Sequence, residues 1–350
     1  ILSLFFFYLI LRKITKNTLL IGVTLFLYVT NYFIYWYPSL AMGENLILTL
    51  FLAGIWLTTL SLTPITLIFT PVIAVLIYLT KSANIPISIC IGLFYFIRIL
   101  TETKSKNKTK NAKIFLITSG ILLSLITIFA DELGGGNIIS SFIFFFTNLF
   151  PKQETTHLIK AQVSQQPTGW FSLGYMKNFL PDYIRTLFGG HSVRFLWENT
   201  PIVPVFVGTP GIIGLFIAFL KKRYRLLSIT LLTAVLGSII FLSTFYSQDM
   251  RYLYHLIPTL LIGFVMFWEI AITVMLNLFQ HLKKKKILKQ VQDDKKNKRF
   301  ILYTSYFLLV ILFLFYFATN ATRLKKQIML NLKYAETPWY YLSVIKLNEY

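Results

Sequence analysis

PIVPVFVGTPGIIGLFIAFL (201–220), KKRYR (221–225), LLSITLLTAVLGSIIFLSTFY (226–246), SQDMR (247–251) and YLYHLIPTLLIGFVMFWEIAITVML (252–276) follow one another in the chain. Three apolar stretches of about twenty residues each match the ~30 Å hydrocarbon core when wound as helices. One separator is basic and the other is short and polar. Loops rich in Lys and Arg stay on the cytoplasmic side, so the order reads as three transmembrane helices with KKRYR inside and SQDMR outside.

The composition extends this reading to the whole chain. Of 350 residues, 56% are hydrophobic, 17% aromatic and only 13% charged. Soluble domains carry about a quarter charged residues, so the composition predicts a polytopic membrane protein. The single cysteine, Cys90, lies in an apolar run, which excludes a disulfide framework and a Cys-based metal site.

A net charge of +21 suggests nucleic acid until the charges are placed. Of the 34 Lys and Arg, 22 fall in Arg12, Lys13 and Lys16; Arg98 with Lys104, Lys106, Lys108, Lys110 and Lys113; Lys221, Lys222, Arg223 and Arg225; and nine residues from Lys283 to Arg299. Threading the apolar runs back and forth puts all four groups on one side. That is a positive-inside pattern with attraction to anionic lipid, and no nucleic-acid partner is expected.

Working towards the N-terminus, Ile114 to Ala130 crosses outward after the basic loop TETKSKNKTKNAK, and Ile85 to Leu100 crosses inward before it. Residues 46–80 would form one helix of about 50 Å, so two spans broken at Ser61 to Pro64 fit better. Thr18 to Tyr37 is a span ending in an aromatic belt of Tyr32, Tyr35, Trp36 and Tyr37. The opening apolar run after Ile1 reaches only about half of the core and reads as the end of a truncated span. Towards the C-terminus, Phe300 to Ala318 crosses outward.

The expected fold class is an all-α, polytopic transmembrane helix bundle of about nine spans, the first incomplete, with a partly helical extracytoplasmic loop region. Its divisions are an N-terminal transmembrane bundle at 1–130, an extracytoplasmic loop region at 131–200, transmembrane helices at 201–276, a basic cytoplasmic insert at 277–299, a further transmembrane helix at 300–318, and an extracytoplasmic tail at 319–350. The expected location is the plasma membrane of a bacterium, crossed several times. The insert NLFQHLKKKKILKQVQDDKKNK suits a surface helix or a basic tether, and it is also similar to a short translated repeat found in unrelated bacterial proteins. His281 within it is given no catalytic role.

Residues 131–200 hold the polar chemistry. Asp131 and Glu132 stand where a span meets the outer face, before Gly134, Gly135 and Gly136. Adjacent carboxylates there can hold a divalent metal ion or act as a general base; they also simply end a helix before a flexible glycine exit. In LPDYIRTLFGGHSVRFLWEN, Asp182 and Arg185 have the spacing of a local helical ion pair, and His191 and Arg194 follow. Arg suits phosphate because its planar fork donates two charge-assisted hydrogen bonds. Arg251 and His255 are four apart, hence on one helix face, at the depth of a lipid phosphate; snorkelling to the interface is the alternative.

Glu269 lies well inside a span, where a carboxylate costs about 2.5 kcal/mol or more unless it is neutral, paired or facing a cavity. Its place towards the cytoplasmic half suits a polar partner. The chain has no P-loop, HExxH or nucleophile-elbow motif.

The long loop ending in FGGHSVRFLWENTPIVPVFVGTPGIIGLFIAF and the late RYLYHLIPTLL resemble the C-type glycosyltransferase superfamily, over residues 45–275. Within it they are similar to bacterial proteins related to dolichyl-phosphate-mannose protein mannosyltransferases and to the aminoarabinose transferase of lipid A. The resemblance implies transfer of a sugar from a polyprenyl-phosphate-linked donor to an acceptor on the external face, with membrane lipids as further partners and no certain cofactor. It also implies an external Asp after the first span as base, which no position of this chain matches, and basic residues holding the leaving phosphate. Two other readings stand beside it: a transporter or flippase of lipid-linked saccharides, suggested by Glu269 and the Gly/Pro-interrupted spans, and a noncatalytic membrane assembly protein.

Overall fold

The computed structural model describes residues 1–31, 34, 43–80, 84–102, 105–128, 173–188, 202–244, 253–286 and 311. Among them all regular structure is helical and no strand occurs. The helices are α1 (Leu2–Ile14), α2 (Thr18–Val29), α3 (Glu44–Thr59), α4 (Pro64–Thr80), α5 (Ile85–Glu102), α6 (Ser105–Ile128), α7 (Leu173–Leu187), α8 (Val205–Leu220), α9 (Arg225–Ser243) and α10 (Leu256–Lys286). Four segments, within α5, α6, α9 and α10, are long and apolar enough to cross a membrane, and α2, α3, α4 and α8 are shorter apolar helices. The protein is an all-α membrane helix bundle.

Local chemistry sets the breaks. The Asn17 side chain accepts from the amides of Leu19 and Leu20 at 3.1 and 3.2 Å, capping α2 where α1 has ended in Arg12 and Lys13. The break at Pro64 is a reciprocal cap: Thr63 Oγ1 accepts from the Thr66 amide at 3.3 Å, and Thr66 Oγ1 accepts from the Thr63 amide at 3.0 Å. Within the helices, Thr24, Thr70, Thr118, Thr230 and Thr259 each donate to the carbonyl four residues back. An unsatisfied hydroxyl costs several kcal/mol in hydrocarbon, so this back-bonding is what lets Thr recur inside the bundle.

Hydrogen bonds between distant segments show which helix ends meet. At one end, Tyr224 donates to the Ile14 carbonyl at 3.1 Å, Thr15 to Glu269 at 2.6 Å, and Arg98 to the Thr58 carbonyl at 2.6 Å. At the opposite end, Asn31 donates to the Ile202 carbonyl at 2.9 Å and Tyr254 to Asn45 at 3.3 Å. Arg12, Lys13, Lys16, Lys221, Lys222, Arg223 and Arg225 therefore share one end, as the threading of the sequence requires. We call it the basic end.

The helices pack in a closed circuit: α1 on α3, then α4, α5, α9, α8, α10, α2 and back to α1, with α1 also touching α10. Outside the circuit, α6 rests on α4 and α5, and α7 rests on α9 and α8. The tightest contact is α8 on α10. A β-carbon at Gly214 would fall on the carbonyl oxygen of Gly263, and one at Gly263 on that of Gly211. Burying apolar surface drives little association in lipid, so close backbone approach through small residues supplies the dispersion contact instead. The face of α6 carrying Leu116, Ile117, Ile121 and Leu125 is exposed, as a lipid-facing surface requires.

Three boundaries differ from the sequence reading. The basic loop before Ile114 is helix from Ser105 onward, because Lys is a good helix former and nothing between 105 and 113 breaks the winding. The insert expected to begin at 277 is continuous with its span: α10 runs 31 residues to Lys286, about 46 Å, well past the hydrocarbon. The span expected to reach Tyr37 contains a 12-residue helix ending at Val29, where the Thr30 amide closes on Phe26 and Asn31 turns to Ile202.

Candidate functional site

Of the residues singled out for function, Asp131, Glu132, His191, Arg194 and Arg251 lie outside the described residues. His255 is described. It sits in the turn entering α10, is 2% exposed, and meets the Phe51 ring of α3 edge-on, with centroids 5.6 Å apart and planes at 68°. Its carbonyl accepts the Thr259 hydroxyl at 2.8 Å. The imidazole is therefore stowed between α3 and α10 and does not lie along the surface.

The sequence explains the placement. α10 packs against α8, α2, α1 and α9, so its first turns are apolar and fully enclosed: Leu253, Leu256, Ile257 and Leu260 have no exposure. A residue within that run is buried whatever its polarity. Next to His255, the Tyr254 hydroxyl donates to Asn45 Oδ1 at 3.3 Å and to the Ile34 carbonyl at 3.5 Å. With the Asn31 to Ile202 bond, side chains tie together the ends of α2, α3, α8 and α10 at the end opposite the lysines.

This cluster places an imidazole beside neutral hydrogen-bond donors and acceptors. Asn31, Asn45 and Tyr254 were not singled out from the sequence, since no local pattern joins three residues so far apart in the chain. α7 lies at the same end, where Thr209 of α8 donates to the Phe188 carbonyl at 3.4 Å. Its Asp182 and Arg185 form the local pair expected from their spacing, at 3.7 Å, with the Arg185 side chain 58% exposed.

At the basic end, Glu269 has the polar partner its position called for: Thr15 donates to Oε2. Tyr224 lies close enough to feel the Glu269 charge. Burial pushes its hydroxyl above the ordinary value, with Arg223 opposing and Glu269 adding to the shift. On α5, Arg98 donates to Glu102 at 2.6 Å and to the Thr58 carbonyl at the end of α3, and also reaches the Leu60 carbonyl. It caps α3 from another helix, satisfying carbonyls that the helix leaves free.

Among the described residues no three His, Cys, Asp or Glu side chains come together in a way that would hold a metal ion. No family model, curated protein or solved structure matches this chain.

Proposed function

We propose that the chain is a membrane glycosyltransferase that moves a sugar from a polyprenyl-phosphate carrier to an acceptor at the end opposite the lysines. The observation that carries this reading is the burial of His255 at the entrance of α10, four positions after Arg251 in RYLYHLIPTLL and beside Tyr254 and Asn45. Supporting it are the resemblance of that segment to the C-type glycosyltransferase superfamily and the positive-inside rule, which makes the basic end cytoplasmic and the protein multi-pass.

In this reading the lipid tail lies between helices and its phosphate meets Arg251 at the bilayer surface, with His255 beneath, and His191 and Arg194 contacting the donor from the loop region. The acceptor oxygen bonds to the sugar's anomeric carbon as the bond from that carbon to the phosphate oxygen breaks, and the phosphate leaves with the electron pair. Cationic donors aimed at the departing phosphate stabilise the charge that develops there. A carboxylate takes the acceptor's proton, and Asp131 or Glu132 is the candidate within this chain.

The test is transfer in proteoliposomes from a radiolabelled polyprenyl-phosphate sugar. Transfer by the wild type and its loss in Arg251→Ala are expected; unchanged transfer in that variant overturns the role of Arg251. Label that crosses a sealed membrane without a new glycosidic bond would replace this reading with transport.

A further inference from the structure

The α1 end and the α8–α9 turn are about 210 positions apart in sequence, yet two hydrogen bonds stitch them together: Tyr224 to the Ile14 carbonyl at 3.1 Å, and Arg223 to the Lys13 carbonyl at 3.4 Å. The bonds gather Arg12, Lys13, Lys16, Lys221, Lys222, Arg223 and Arg225, all of them exposed, into one patch. Arg225 donates to the Phe219 carbonyl and the Arg223 guanidinium lies 5.0 Å from the Tyr224 ring centre, so both guanidinium groups are partly engaged. Among the described residues no carboxylate pairs with any of the seven; the two ion pairs there are Arg98–Glu102 and Arg185–Asp182. Glu269, whose charge reaches Tyr224, accepts from Thr15 instead.

Gathered cations repel one another, and the negative ends of the α1 and α8 dipoles, which meet here, offset only part of that. Below the patch, α8 presents Ile213, Phe216 and Leu220 outward on one face, exposed by 40%, 53% and 69%. Cations at a helix end above an open apolar face match an anionic lipid, with its headgroup on the lysines and its chains along α8. Basic pockets between helices on this side of a membrane take headgroups with more than one phosphate.

We propose that the patch formed by the α1 end and the α8–α9 turn is a binding site for a phospholipid carrying two phosphates. One phosphate meets Lys13 and Lys16, and the other meets Lys221 and Lys222. The site is separate from the proposed catalytic end and does not depend on it.

Native mass spectrometry of the full chain tests this, with cardiolipin, which has two phosphates, compared with phosphatidylglycerol at equal total phosphate. The wild type is expected to retain cardiolipin preferentially, and an equal retention of the two overturns the proposal. Lys13→Gln/Lys221→Gln/Lys222→Gln is expected to lose that preference, at about fivefold in affinity for each lysine removed. The control Lys108→Gln/Lys110→Gln/Lys113→Gln removes the same charge from α6 and is expected to keep it. Equal losses in both variants would reduce the patch to diffuse attraction and overturn the proposal. Displacement of cardiolipin by millimolar inorganic pyrophosphate would also overturn it, because the ligand would then be a soluble anion.

Discussion

The hydroxyl of Thr15 donates to Oε2 of Glu269 at 2.6 Å across 254 positions of chain. It joins the end of α1 to the middle of α10, and the same two segments frame Tyr224. A carboxylate that would be costly alone in a span is thereby given a partner, and the circuit of helices is closed at the basic end.

Thr15→Val keeps the shape and removes the donor, leaving Oε2 of Glu269 without it. A hydrogen bond to a charged group contributes about 1.5–3 kcal/mol, so a loss in that range is expected from chemical unfolding in detergent micelles. Glu269→Leu should make the Thr15→Val change much smaller, by a coupling of at least ~0.5 kcal/mol. Additive effects would show that the contact does not couple the two helices.

Tyr224 makes alkaline stability a second readout. Its folded hydroxyl titrates above the ordinary value of 10.0, chiefly through burial. A group whose folded value is raised contributes fully below the unfolded value and loses that contribution as pH rises through the folded one. Stability should therefore hold to about pH 10 and fall above it, and Tyr224→Phe should flatten the fall while lowering stability at neutral pH by about 1 kcal/mol for the lost bond to Ile14. Thermal unfolding between pH 8 and 11 measures both effects, and an unchanged alkaline slope in the variant would refute the assignment.

The glycine contact of α8 and α10 predicts opposite signs at different glycines. Gly214→Ala puts a methyl group onto the Gly263 carbonyl and should destabilise by about 1–3 kcal/mol as the helices part. Gly120→Ala on α6 meets nothing within 4 Å and should stabilise by up to about 1 kcal/mol through helix propensity. Melting temperatures of the two variants in one detergent decide the matter.

Arg98 and Glu102 are expected to differ although they form an ion pair. The Glu102 side chain is 48% exposed, so Glu102→Gln should cost less than about 1 kcal/mol. Arg98→Met removes the donor to the Thr58 and Leu60 carbonyls and should cost about 2 kcal/mol or more. Equal effects would mean that the surface pair, and not the cap on α3, is what Arg98 provides.

Much of the bundle was legible in order along the chain. Pro64 announced the break between α3 and α4, because a proline at the first helical position disfavours winding before it, and Thr63 and Thr66 complete the cap. The lysines announced which ends lie together. Helix ends were less legible where charge and winding disagree: Lys106 to Lys113 read as loop by polarity, and Lys283 to Lys286 as part of a separate surface helix or tether, yet the backbone continues helical through the first and on from the span into the second. For the candidate site, the sequence singled out His255 but not its surroundings, since Phe51, Asn45 and Asn31 come from helices whose neighbours no local pattern reveals.

The sequence alone determined the class of the protein and which helix ends carry the lysines. Apolar length is set by the thickness of the hydrocarbon, and lysines resist crossing it, so both are one-dimensional constraints that composition and spacing record directly. Tertiary structure decided which polar groups became partners. Thr15 met Glu269, Tyr224 met Ile14 and Tyr254 met Asn45 because helices distant in sequence packed side by side, and that choice rests on shape, as where Gly211, Gly214 and Gly263 let two backbones touch. In lipid, where apolar surface is as well solvated outside the bundle as within it, fit between particular surfaces selects neighbours, and a linear pattern of hydropathy does not encode that fit.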